Sequence, residues 1–149
     1  MASNNLNIRY PEGMEELSEV VQVSEAVSLA FHGLGLLVSR GGRLSVREMA
    51  EEIGVSEAHM AKVFQRLSKG GLVYSSRGPG GGFILAKDPG DISLYDVYRL
   101  IEGEPSIEPC LLDCGKCPFE KCLFEGLLGK MKREFVDYLR NKRLSDLNP

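Results

Sequence analysis

All four cysteines of this 149-residue chain lie within thirteen consecutive residues, at Cys110, Cys114, Cys117 and Cys122. Thiolates are soft ligands that bind zinc or iron–sulfur clusters, and isolated structural cysteines do not cluster in this way. The first eleven residues are polar and do not resemble a signal peptide, so we expect a cytoplasmic, reducing compartment. In such a compartment this cysteine segment (residues 110–122) is expected to bind a metal or a cluster.

Two cofactors are compatible with the cysteine segment. Cys114 and Cys117 have the spacing of a zinc knuckle, and four thiolates can close a structural zinc site. Zinc sites, however, more often use two ligand pairs that are far apart, whereas one loop readily holds an iron–sulfur cluster. We therefore favour an iron–sulfur cluster and keep zinc as the alternative.

The charge of the chain points to a second chemistry. The net charge is −3, yet residues 58–87 (the acid-free segment) contain five cations and no acid. Those cations are Lys62, Arg66, Lys69, Arg77 and Lys87. A solvated surface normally mixes both signs, so this segment is typical of contact with the phosphates of double-stranded DNA.

Helical patterns and cap residues predict the elements that position these cations. A long helix is expected over residues 15–38, ended by the glycines at 41 and 42. Ser45 and Glu48 form a capping box that begins a short helix, and Gly54 is placed to end it. Ser56 is the N-cap candidate of the next helix, which runs to about residue 69. Strands over 72–75 and 83–86 surround a Gly/Pro turn, so the unit is predicted to be a winged helix-turn-helix; the alternative is an αα-hairpin that only packs.

The rest of the chain completes the predicted fold, which is mainly α with a small β-hairpin. Ser93 begins a further helix to about residue 102, a loop carries the cysteines, and the last helix spans about 124–143 with an apolar stripe. The predicted parts are a flexible N-terminal extension (1–14), a winged-helix domain (15–103), the cysteine-rich loop (104–123) and the final helix with its tail (124–149). No segment is long enough to span a bilayer, since the longest apolar stretch covers residues 27–38.

Roles on DNA follow from helix-turn-helix geometry. The N-terminal residues of the second helix face base edges in the major groove. The candidates there are Ser56, Ala58, His59 and Lys62, although His59 is equally compatible with a half-buried helix position. Arg66 is assigned to phosphate contact. Arg77 is the candidate for the minor groove or for phosphate, and Gly78 and Gly80 allow a close backbone approach.

The segment from Gly71 to Phe83, with its Arg-Gly-Pro-Gly-Gly-Gly run, strongly resembles the Rrf family of bacterial winged-helix regulators. The resemblance extends over residues 21–147 and includes the IscR-like and NsrR-like iron–sulfur sensors. It implies a homodimer on a palindromic operator, most often as a repressor, with the long C-terminal helix pairing with its mate. The apolar stripe suits that helix, although packing within one chain is the alternative. The stripe consists of Phe124, Leu127, Leu128, Met131, Phe135 and Tyr138.

The resemblance also bears on the cluster ligands. Sensors of this family place three cysteines in the loop, and Cys110 and Cys122 match the first and the third by their flanking residues. The middle ligand is either Cys114 or Cys117, and the spare cysteine is one candidate for the fourth. All-thiolate ligation would favour [4Fe–4S] over [2Fe–2S]. The other candidates are Glu125, where IscR-like proteins have a histidine, and a first-helix residue of the partner subunit near Ser28 and Glu25.

We therefore expect a dimeric DNA-binding transcriptional regulator whose affinity is set by an iron–sulfur cluster that senses nitric oxide, redox state or iron–sulfur status. One alternative is a zinc- or disulfide-based regulator on the same scaffold. An alternative of another class is an electron-transfer or cluster-carrier protein, against which the acid-free segment argues. An enzyme is not expected, because no nucleophile–base arrangement is present.

Overall fold

The computed structural model describes residues 23–106 and 117–147 of the chain. Five helices and one antiparallel hairpin follow one another along these residues, which confirms the predicted fold class. The elements are α1 (Glu25–Arg40), α2 (Val46–Ile53), α3 (Glu57–Lys69), β1 (Val73–Ser76), β2 (Gly82–Leu85), α4 (Leu94–Glu102) and α5 (Leu127–Asn141). Two short 3-10 helices, Pro89–Asp91 and Leu144–Leu147, precede α4 and follow α5. The predicted extension (1–14) and residues 15–22 of the predicted first helix lie outside the described residues. The prediction of one helix over 15–38 was wrong at its start, because the Ser24 hydroxyl accepts from the Val27 N–H and α1 begins only at Glu25.

The predicted helix ends of the helix-turn-helix are confirmed by cap hydrogen bonds. The Ser45 hydroxyl accepts from the Glu48 N–H at 3.1 Å, and the Glu48 carboxylate accepts from the Ser45 N–H at 2.7 Å. Gly54 ends α2 in the left-handed conformation, with φ of 80°. The Ser56 hydroxyl accepts from the His59 N–H and begins α3. A three-residue turn therefore sets the angle between α2 and α3.

The core is formed where α1 crosses α3. Val27, Leu34 and Phe64 are fully buried there, together with Met49 of α2. Gly33 allows the close crossing, because a Cβ at this position would lie 2.4 Å from the Phe64 ring. The Phe64 ring also lies 5.1 Å from that of Phe83 in β2, so one side chain joins the central helices to the hairpin.

The hairpin pairs Val73 with Leu85 and Ser76 with Gly82, so both strands are displaced by one residue from the predicted ones. The displacement has a tertiary cause. The backbone of Leu44 pairs with Phe83 through hydrogen bonds of 3.1 and 2.8 Å. A Cβ at Gly82 would lie 2.4 Å from the Leu44 carbonyl oxygen, so a residue of the predicted turn becomes the first residue of β2.

Helices α4 and α5 pack side by side in opposite directions. The Leu94 N–H donates to the Lys142 carbonyl at 2.9 Å, and the Tyr98 and Phe135 rings meet edge-on at 5.7 Å. Helix α5 begins three residues later than predicted, because Glu125 and Gly126 are both left-handed, with φ of 49° and 85°. None of the described helices is long and apolar enough to cross a membrane.

Candidate nucleic-acid interface and cysteine segment

Helix α3 has one apolar side and one polar side. Its four predicted apolar residues are all buried, which fixes the rotation of the helix about its axis; they are Met60, Val63, Phe64 and Leu67. Ser56, Ala58 and Lys62 are exposed at the N-terminal half of the same helix. The structure thus brings these three candidates together on a surface that faces solvent.

His59 is placed differently from its neighbours. Its ring lies against the first turn of α1, with Nδ1 3.5 Å from a Glu25 carboxylate oxygen. Only 38% of its side chain is exposed. This contact favours the half-buried alternative, and a base contact by His59 stays a prediction.

The tip of the hairpin forms the wing. Arg77, Gly78 and Gly80 are exposed, and both glycines have positive φ, of 87° and 74°. The Arg43 guanidinium donates to the Gly80 carbonyl at 3.2 Å and ties the tip to the loop between α1 and α2. An open cleft of about 380 Å³ lies between the wing and the helices, and Gln65 of α3 and Arg77 both line it. The contact of Arg43 with Gly80 was not predicted, because it joins residues 37 positions apart and no signal in the sequence indicated it.

Arg66 makes a contact that its charge alone did not indicate. Its guanidinium donates to the backbone carbonyl of Ile101, in the last turn of α4. One of its donors is therefore used within the protein, while the side chain as a whole stays exposed at the surface. Contact of Arg66 with DNA phosphate stays a prediction.

Two of the four cysteines can be placed. Cys117 and Cys122 are both exposed, and neither forms a disulfide with another described residue. The Cys122 carbonyl accepts from the Glu125 N–H at 3.1 Å, so Glu125 follows Cys122 in one tight turn and is exposed as well. Cys110 and Cys114 lie outside the described residues. Within residues 23–106 and 117–147, no three His, Cys, Asp or Glu side chains are grouped closely enough to hold a metal.

The start of the loop that carries the cysteines is held by α4. The Glu104 carboxylate accepts from the Tyr95 hydroxyl at 2.6 Å and from Arg99 at 3.4 Å. The Tyr95 hydrogen bond, aided by Arg99, holds the pKa of Glu104 below its ordinary value. The Ser24 hydroxyl, at the N-terminus of α1, donates to the Glu102 carboxylate. The chain therefore leaves α4 at a fixed point.

The apolar stripe of the last helix is only partly covered. Leu128 and Phe135 are half-buried, and Phe135 packs on Tyr98. Leu127, Met131 and Tyr138 remain 52%, 40% and 57% exposed. Packing within the chain accounts for one side of the stripe and leaves the other side open.

Known proteins with related sequences are transcriptional regulators. The model of the Rrf2 family, described as iron-dependent transcriptional regulator, matches residues 23–149. A protein of Aquifex aeolicus (strain VF5), named as an HTH-type transcriptional regulator, is 33% identical over 128 residues, which cover 83% of this chain and 89% of that protein. The HTH-type transcriptional regulator IscR of Cronobacter sakazakii is 32% identical over 111 residues, 74% of this chain and 68% of the relative. These relatives are regulators and not enzymes, as the sequence predicted.

Solved structures with the same fold include two kinds of regulator. T. potens IscR has a TM-score of 0.67 at 27% identity, covering 87% of this chain and 88% of that one. The oxidized form of Staphylococcus aureus CymR has a TM-score of 0.63 at 27% identity, covering 85% and 95%. CymR of B. subtilis, described as the global cysteine regulator, shares the fold with a TM-score of 0.71 at 24% identity, covering 85% and 95%. The predicted winged-helix fold is confirmed, and structures of IscR and of CymR both share it.

Proposed function

The chain belongs to the Rrf2 family of transcriptional regulators, and from this premise we propose that it is a homodimeric repressor controlled by an iron–sulfur cluster. The observation that carries the proposal is the pair of exposed thiols, Cys117 and Cys122, between the fixed end of α4 and the start of α5. The same chain presents a cationic helix and wing. A cluster-binding element and a DNA-binding element are thus joined through α4.

Regulators of this family bind DNA, and we assign that role to α3 and the wing. Ser56, Ala58 and Lys62 occupy the exposed N-terminal half of α3, where a recognition helix meets base edges. His59 stays a candidate at the edge of this surface. Arg77, Gly78 and Gly80 form the exposed wing tip, where the absence of side chains on the glycines permits close approach to the DNA backbone.

The homodimer is supported by the open side of α5. Leu127, Met131 and Tyr138 form an exposed apolar surface on a helix whose opposite side packs on α4. A second copy would cover this surface symmetrically. A two-fold dimer presents two recognition helices, so its operator is expected to be a palindrome.

The donor set fits an iron–sulfur cluster. Four cysteines, of which Cys117 and Cys122 are exposed, supply enough thiolates for either [4Fe–4S] or [2Fe–2S], and we favour the former. Glu125, one turn after Cys122, is the candidate oxygen ligand for a cluster that uses only three cysteines. When bound, the cluster supplies a group that reacts with oxygen or nitric oxide. The protein's part is to hold that group between α4 and α5.

A thiol- or zinc-based regulator is the second candidate, and one comparison favours it. The chain resembles a CymR structure described as an oxidized form. Exposed thiols can form disulfides or bind zinc without an iron–sulfur cluster. This alternative uses the same cysteine segment and the same DNA-binding surface.

Ligand variants purified without oxygen test the proposal. We expect the wild-type protein to contain iron and acid-labile sulfide and to absorb visible light. If the middle ligand is unique, exactly one of Cys114→Ala and Cys117→Ala loses the cluster; if all four cysteines bind, both lose it. Glu125→Gln is the matched variant that tests whether the Glu125 carboxylate binds the cluster. A colourless wild-type protein that holds one zinc, or that holds no metal and oxidises to a disulfide, would establish the second candidate instead.

A further inference from the structure

We infer that Arg66 is a positioning residue that couples the cysteine segment to the recognition helix α3. The inference rests on the proposed function, because it concerns how a change near the cysteines reaches DNA-binding residues. It gives Arg66 a role other than the phosphate contact expected from its charge.

The first support is the contact between α3 and the end of α4. The Arg66 guanidinium donates to the Ile101 carbonyl, which belongs to the last turn of α4. Helix C-termini carry partial negative charge on such carbonyls, and a charged donor strengthens the hydrogen bond. Arg66 therefore acts as a C-terminal cap for a helix 35 residues further along the chain.

The second support is an apolar contact beside this hydrogen bond. Leu100 packs against the C-terminus of α3 so closely that a Cβ on Gly70 would lie 1.8 Å from its Cδ1 atom. The ends of α3 and α4 are thus joined by one polar and one apolar contact. A displacement of the last turn of α4 has to move α3 or break both contacts.

The third support is a connection through α1 back to α3. Glu102, the last residue of α4, accepts from the Ser24 hydroxyl, which also caps α1. Glu25, the next residue, lies 3.5 Å from the His59 ring on the N-terminal half of α3. The end of α4 consequently reaches both halves of the recognition helix.

The contact between Arg66 and Ile101 lies close in sequence to the cysteine segment. Residues 101 and 102 end α4 only eight residues before Cys110, and Glu104 is tied back to α4 through Tyr95. A rearrangement of the cysteine segment that is passed to α4 therefore reaches its last turn first. Arg66 passes that change to α3, which meets DNA.

The two possible roles of Arg66 predict different salt dependence. Each phosphate contact adds about 0.9 to the slope of log affinity against log salt concentration. A phosphate role therefore predicts that Arg66→Ala lowers the slope by about one. A positioning role leaves the slope unchanged and reduces the ratio between the affinities of the cluster-loaded and cluster-free forms.

The experiment uses a duplex enriched from a random-sequence library by the purified dimer. Salt titrations are run on both forms of the wild type, Arg66→Ala and Arg66→Lys, and on Lys69→Ala as the control cation of the same helix. We expect Arg66→Ala to keep the slope and to lose about tenfold in the affinity ratio, equivalent to one charge-assisted hydrogen bond. Arg66→Lys, which keeps a charged donor, should recover part of the ratio, and Lys69→Ala should leave the ratio unchanged.

Gly70→Ala keeps the inference testable if Arg66→Ala fails to fold, since it disturbs the same junction without changing charge. It is expected to reduce the affinity ratio at an unchanged slope. A slope lower by about one in Arg66→Ala, with the ratio preserved, would overturn the inference and leave the proposed function standing. Absence of salt-dependent duplex binding by the wild type in both forms would overturn the proposed function itself.

Discussion

The region to which we assign DNA binding, residues 44–87, and the region that carries α5, residues 117–147, are stabilised in different ways. In the first region, Ser45 and Ser56 cap the helices, and Met49, Phe64 and Leu67 are fully buried. In the second, the N-cap of α5 is Gly126, which provides no side-chain cap, and large apolar side chains such as Phe119 and Leu127 are exposed. The first region is held by its own core, whereas the second leaves apolar side chains and two thiols exposed.

The largest expected difference between the regions is the loss of stability when one phenylalanine of each region is replaced by alanine. Phe64→Ala empties a fully buried site at the crossing of α1 and α3, so we expect the free energy of unfolding to fall by about 3–5 kcal/mol. Phe119→Ala, at a site 58% exposed, is the matched control and should change it by less than about 0.5 kcal/mol. Urea denaturation of both variants measures the difference. Equal losses would show that the two regions are stabilised alike.

The next effect concerns assembly. Met131→Glu places a charge on the open side of α5, so we expect the dimer dissociation constant to rise more than about tenfold, since burial of such a side chain contributes roughly 1.5–3 kcal/mol. Arg133→Glu, elsewhere on the same helix, introduces the same side chain at a position outside the apolar stripe. Sedimentation equilibrium distinguishes the two. A Met131→Glu protein that remains as dimeric as the wild type would mean that this surface is not the interface.

A smaller effect is expected at the wing. Gly82→Ala brings a Cβ within 2.4 Å of the Leu44 carbonyl oxygen at a φ of 153°, so the pairing with β2 must shift. We expect a loss of about 1–3 kcal/mol in stability, together with weaker DNA binding. Gly42→Ala meets no atom within 4 Å and serves as the control. Unchanged unfolding and DNA affinity for Gly82→Ala would show that the wing does not depend on this close approach.

The smallest effect is a pH dependence at α4. Burial raises the pKa of Asp96, but hydrogen bonds from Ser93 and the charges of Arg99 and Arg143 outweigh it, and the pKa is lowered overall. A lowered pKa in the folded state contributes stability above the unfolded pKa, and this contribution is lost as pH falls through the folded value. In Asp96→Asn the free energy of unfolding should therefore fall less steeply with acid than in the wild type, measured by urea unfolding between about pH 5 and pH 2. An acid limb as steep as that of the wild type would contradict this.

Local signals explain why some elements could be predicted and others could not. Ser45, Gly54 and Ser56 act within their own turns, so the helix ends were visible in the sequence. The start of β2 depends on Leu44, which lies far away along the chain, and the predicted strand was wrong by one residue. Two successive left-handed residues, Glu125 and Gly126, delayed α5, and only the glycine gave a sequence signal for this.

The candidate sites also divide into features that were visible in the sequence and features that depend on tertiary packing. The cationic character of α3 and the wing was evident from composition, and the structure places Lys62 and Arg77 at the surface. The contact of Arg66 with Ile101 depends on tertiary packing, so charge alone could assign Arg66 only to phosphate. The chemistry of the cysteine segment follows from thiolate softness and spacing, while Cys110 and Cys114 lie outside the described residues and their geometry stays a prediction.

The most direct test of the account is the DNA affinity of one anaerobic preparation before and after its iron is removed. The account predicts a coloured protein with iron and acid-labile sulfide, whose affinity for the enriched duplex changes at least about tenfold when the metal is chelated. A protein without iron, or an affinity that is the same in both forms, would contradict the claim that a cluster in the cysteine segment controls α3 and the wing.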